Sequence, residues 1–171
     1  DVARHFFAQA LTIDPNYARA HVALADCHAY LYVHAGRDPA HVVAALKAGR
    51  KALDLAPDSA EAHAAMAVAL SLEGCHTAAE REFETAIRLN QGLFEAHYGY
   101  ARASLALGKP ERALRYCEEA VRVRPDDHQS RLLMAEICDS LGRRDEAEAM
   151  RRCGVTLADE HVRVNADDAQ A

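Results

Sequence analysis

Ten histidines and five cysteines supply most of the side chains in this 171-residue chain whose types could do chemistry. Cys75 and His76 have the makings of a nucleophile and its base, which would need a cleft and a third group to orient the base. Sequence neighbours rarely face one another, so this pair reads as surface. His34, Asp38 and His41 span a predicted turn and offer three metal ligands. Zinc, however, needs ligands fixed at roughly 2.0–2.3 Å with supporting partners, and nothing in this spacing specifies them. Cys27, Cys75, Cys117, Cys138 and Cys153 are odd in number and widely spaced, with no C-x-x-C. They argue against a disulfide framework and a zinc site, and for a reducing compartment. No phosphate-cradling glycine loop is present. The expectation is a chain that is not an enzyme, with no cofactor and no metal.

Composition says what must hold any site together. Half the residues are apolar but only 6% are aromatic, there is no Trp, and 37 residues are Ala. Alanine costs a helix nothing in side-chain entropy but fills little volume, so helix backbones must approach closely. Gly (8) and Pro (5) are scarce and no alternating β-branched run occurs, so the expected class is all-α. Lys and Arg number 20 against 26 Asp and Glu, a formal charge of −6 shared evenly by the two halves. No basic face points to a nucleic acid. No apolar run approaches the ~18–20 residues of a membrane helix, so a cytoplasmic chain without a membrane partner is expected. The first residue is Asp1, and both edges are expected to be cuts through a longer array.

A period organises these residues. Gly74, Gly108 and Gly142 lie 34 apart, as do Ala67, Ala101 and Ala135. Ala45, Ala79, Ala113 and Ala147 keep the same step, and so do Ala52, Ala86, Ala120 and Gly154. The glycines fall where a helix ends in a left-handed residue. Pro57-Asp58-Ser59 and Pro125-Asp126-Asp127 stop one helix and cap the next. The small columns mark helix crossings. Each period is two antiparallel helices and two short turns.

With small residues at its eighth, twentieth and twenty-seventh positions and Pro at the thirty-second, this unit resembles the tetratricopeptide repeat. The resemblance implies a right-handed α-solenoid of antiparallel helix pairs. Residues 1–15 would be the second helix of a truncated repeat, with apolar surface exposed near Phe6, Phe7 and Leu11. Repeat one would span 16–59, repeat two 60–93, repeat three 94–127 and repeat four 128–161, with 162–171 a truncated start or a cap. The usual bulky fourth residue is replaced by His63, His97 and Arg131; His21 occupies the same repeat position as the two histidines, and all three are expected as packing between helices.

Repeat one is irregular. Pro15 to Pro57 is 42 residues, eight more than the period, and the excess falls between Ala25 and Ala45. Eight residues are close to two helical turns, which predicts a protruding hairpin around residues 29–43, packed by Leu31, Val33, Val42 and Val43. Asp38 and Pro39 read as cap and first residue of its second helix. Tyr30, Tyr32, His34, Arg37 and His41 would be contact residues at its tip.

In the family, the first helix of each repeat lines a concave face that binds peptides. The matching positions here are Arg19, Val22, Asp26 and Ala29; Glu61, Ala64, Val68 and Ser71; Glu95, Tyr98, Arg102 and Leu105; and Gln129, Leu132, Glu136 and Asp139. The Lys/Asn clamp that family members use for acidic chaperone tails is absent. The remaining groove has an apolar middle (Ala64, Val68, Tyr98, Leu132) and acidic flanks. It suits an amphipathic helix or extended segment with apolar anchors and a basic residue, with Tyr98 and Arg102 as anchors. The expected function is a protein-interaction scaffold, working through this groove or the repeat-one hairpin. The Asp14-Pro15-Asn16-Tyr17 opening also resembles repeat regions of bacterial cyclases, kinases and winged-helix regulators. That implies the alternative of a regulatory region that self-associates through its array ends.

Overall fold

Short polar residues, prolines and glycines set the helix ends, and the helices follow from them. The computed structural model describes residues 2–168, and among these it holds nine α-helices and no strand. They are α1 (Val2–Ile13), α2 (Ala18–His34), α3 (Pro39–Leu55), α4 (Ala60–Glu73), α5 (His76–Leu89), α6 (Phe94–Ala106), α7 (Pro110–Val123), α8 (His128–Ser140) and α9 (Arg144–Asp168). Asp38, Ser59 and Asp127 cap α3, α4 and α8, accepting from the amides of Ala40, Ala62 and Ser130. Pro39 and Pro110 stand in the first turns of α3 and α7, where the missing amide proton costs nothing. Gly74, Gly108 and Gly142 have φ of 90°, 66° and 74°. Each closes a left-handed turn in which the next residue's amide reaches back to a carbonyl five positions earlier (Cys75 to Leu70, Lys109 to Ser104, Arg143 to Cys138).

The chain divides into two compact units, residues 1–99 and 100–171. In the first, α2 packs on α3, α4 on α5, and α3 and α2 each on α4. Its core is built largely of alanine. Ala25, Ala48 and Ala65 form one cluster, and Ala60, Ala64, Ala86, Leu93 and Ala96 another. Phe83 is the largest fully buried side chain. The second unit packs α7 and α9 on α8 around Ala113, Cys117, Ala120, Leu133, Ala135, Ile137 and Ala147. The alanines that keep the 34-residue step are buried throughout, none more than 2% exposed. Gly154, fourth in one such column, is also buried, and a Cβ there would stand 3.0 Å from Leu132.

The α2–α3 hairpin is eight residues longer than the α4–α5 hairpin. Each of its helices has 17 residues against 14 in α4 and α5, and the connection between them is two residues longer. Val42 is buried, whereas Val43 points outward at 66% exposure, so it does not pack the tip. At the amino end, Val2, Phe6 and Ile13 are exposed large apolar residues of α1, while Phe7 and Leu11 are half-buried. At the other end, α9 runs through Asp159 without a turn and continues to Asp168. No Gly or Pro follows Gly154 in that stretch, so residues 160–168 continue α9. Residues 169–171 lie outside the described part.

Candidate functional site

Helices α2 and α4 and the start of α6 bring a concave cavity together inside the 1–99 unit. Helical spacing of three or four places Val22 and Asp26 on one face of α2, Glu61, Ala64 and Val68 on one face of α4, and Glu95 in the first turn of α6. These six residues, with Ala65 and Leu93, line an open cavity of about 310 Å³. Ala64, Ala65 and Leu93 are buried and Val22 and Val68 half-buried, giving an apolar floor; Asp26, Glu61 and Glu95 are the exposed acidic members. No Lys, Arg or His lines it.

The electrostatics of the cavity follow from that lining. Solvent reaches Asp26, yet the surrounding protein penalises its charge, and the nearby Glu95 carboxylate adds repulsion. Together they push the Asp26 carboxyl up from 3.8 to about 7. Glu61 accepts a hydrogen bond from the Ser59 hydroxyl at 2.9 Å, which ties it to the cap of α4.

Other residues expected in the groove are distributed as follows. Arg19 is exposed one turn before Val22 on α2, and Ala29 is buried in the core instead of facing the groove. Ser71 donates its hydroxyl to the carbonyl of Ala67. The half-buried Tyr98 ring stacks on Phe94 with centroids 5.5 Å apart. In the 100–171 unit, Arg102 is exposed on α6, and Gln129, Leu132 and Glu136 are exposed on α8, while Leu105 is half-buried. Asp139 pairs with Arg151 of α9. Leu93 and Ala65 were not among the expected lining residues. Leu93 lies outside any helix, just before α6, where helical periodicity gives no signal.

On the hairpin, Tyr30 is 63% exposed, with its ring 4.3 Å from that of His34. Tyr32 is half-buried, and Arg37 is exposed in the connection with φ of 59°. His41 faces His28 across the hairpin with their Nδ1 atoms 3.0 Å apart, and Asp38 directs its carboxylate to the cap of α3. Among the described residues no three His, Cys, Asp or Glu side chains are grouped to hold a metal. Cys75 is exposed, and a hydrogen bond to Glu73 is the main cause raising its thiol pKa, the opposite of activation. Burial pushes the Cys117 thiol up to about 12.

His21, His63 and His97 also make hydrogen bonds. His21, His63 and His97 each place Nε2 2.9 Å from the carbonyl oxygen six residues earlier, in Pro15, Pro57 and Gln91. Arg131 reaches Pro125 in the same way at 3.3 Å.

The family model described as tetratricopeptide repeat matches residues 8–159. The chain belongs to the tetratricopeptide repeat family. Its fold is the all-α solenoid of that family, whose members are protein-interaction scaffolds that bind protein or peptide partners. Solved structures agree on the fold. TTC0263, a thermophilic TPR protein of Thermus thermophilus, is 21% identical with a TM-score of 0.78 over 98% of this chain and 87% of its own. MamA is 20% identical with a TM-score of 0.66, over 94% of this chain and 89% of its own. YrrB, described as a TPR protein with an unusual peptide-binding site, is 20% identical with a TM-score of 0.60, over 88% of this chain and 74% of its own. No curated protein matches in sequence. Among the described residues no helix is long and apolar enough to cross a membrane.

Proposed function

We propose that this tetratricopeptide repeat chain holds a segment of a partner protein against the concave face formed by α2, α4 and the start of α6. The observation that carries the reading is the cavity itself. Six positions matching the family's peptide-lining positions converge on one open space with an apolar floor. Such a floor with a few polar groups at its edge suits an extended or helical segment bearing apolar anchors. Tyr98 extends the list of proposed anchors within this unit, since Tyr is among the residue types that dominate interface energies. The description of YrrB as carrying a peptide-binding site supports this kind of use for the fold. The test is to identify a partner by crosslinking from Val22, then titrate it against wild-type protein, Val68→Lys and Tyr30→Ala. Loss of affinity in Val68→Lys alone supports the groove. Loss in Tyr30→Ala alone moves the contact to the hairpin.

A second reading is favoured by α1, where Val2, Phe6 and Ile13 are exposed. It is that the chain self-associates through this helix, as a regulatory region of a larger protein would. Light scattering across concentration, with and without Phe6→Ser, separates it from a monomeric scaffold.

A further inference from the structure

Resting on that reading, we propose that the α2–α4–α6 cavity seats one lysine or arginine side chain of the partner segment, stem on the apolar floor and charge among the carboxylates. Three features of the cavity select this occupant. At about 310 Å³ it is at the small end of ligand pockets, roughly 300–1,000 Å³, so it takes a side chain rather than a helix. Val22, Ala64, Val68 and Leu93 offer the apolar contact that the methylene stem of a basic residue uses. Asp26 from α2, Glu61 from α4 and Glu95 from α6 are its titratable groups, all acidic.

The titratable groups of the lining are of one sign. Both causes acting on Asp26, desolvation by the surrounding protein and the Glu95 carboxylate, disfavour its charge. An incoming ammonium or guanidinium relieves the Asp26–Glu95 repulsion, whereas a carboxylate adds to it. A proton competes for the same place, so cation binding strengthens as pH rises through about 7, where Asp26 ionises.

The experiment uses the 171-residue chain and amide NMR shifts of Asp26, Ala64, Val68 and Leu93. The probes are butylguanidinium, pentanol, pentanoate and the blocked peptide Ac-Ala-Leu-Arg-Leu-Ala-NH2. Butylguanidinium is expected to shift these amides at about pH 8 with about ten-fold higher affinity than pentanol, and pentanoate not to shift them. Asp26→Asn should remove most of that preference, and lowering the pH to about 5.5 should weaken wild-type binding but not the variant's. The peptide should bind more tightly than butylguanidinium, because its leucines engage the groove. Pentanol binding as well as butylguanidinium overturns the inference and leaves the scaffold reading standing. A free cation binding as tightly as the peptide overturns it in favour of a small amine ligand. Shifts at none of these amides with any probe remove the cavity from both readings.

Discussion

His63 places Nε2 2.9 Å from the carbonyl oxygen of Pro57, in the turn that precedes its own helix. A carbonyl only accepts, so this ring nitrogen donates a proton to it. The other nitrogen, Nδ1, lies 2.5 Å from a carboxylate oxygen of Glu82 on α5. One side chain thus ties the turn between repeats to both helices of a repeat, and His21, His97 and Arg131 reach the equivalent turn carbonyls.

Replacing His63 with Leu restores apolar bulk usual in the family but leaves the Pro57 carbonyl without this donor. The expected cost is about 1 kcal/mol, seen as a lower urea midpoint with an unchanged slope. A Leu variant as stable as wild type would show the position to be mere packing.

The buried alanine columns make a paired prediction. Ala86 is fully buried and Ala78, on the same helix, is exposed. Ala86→Leu overpacks a helix crossing and should cost about 1–3 kcal/mol or more, while Ala78→Leu should stay within about 0.5 kcal/mol of wild type. Thermal melts of the two variants side by side check it.

What could be read from the sequence was whatever recurs. The Ala67, Ala79 and Ala86 columns, the Gly74 turn and the caps at Ser59 and Asp127 repeat every 34 residues, so each copy vouches for the others. Six cavity residues followed from the same frame. Contacts fixed by tertiary approach did not. His28 meets His41 only because the enlarged hairpin folds back across 13 residues. The reach of His63 to a carbonyl depends on turn geometry that composition does not encode. Asp26 acquires its raised pKa from desolvation by the surrounding protein and from Glu95, far along the sequence. The continuation of α9 past Asp159 also escaped, because a period marks where a turn belongs but not whether a breaker is present to make one.

The hairpin cap gives a local prediction. Asp38 accepts from the amide of Ala40 at 2.9 Å, and an N-cap is worth about 1 kcal/mol. Asp38→Ala should therefore speed amide exchange in the first turn of α3 by roughly five-fold, with α4 and α5 unaffected. If exchange rises equally in all three helices, the hairpin does not open on its own.

Asp26 gives stability a pH dependence whose direction follows from its pKa. The carboxyl sits at about 7 in the folded chain against an ordinary value of 3.8, so between those values the native state holds a proton that the unfolded chain has released. Stability from this group is then greatest at low pH and falls as pH rises through the window, reaching its full penalty above about 7. Asp26→Asn cannot ionise, so it should gain on wild type progressively from pH ~4 to ~7.5 and no further. The difference in melting temperature between variant and wild type, followed across pH, isolates Asp26 from the histidines that titrate in both. A difference that stays flat over this range would show that Asp26 is ionised at little cost, and that Glu95 does not crowd it.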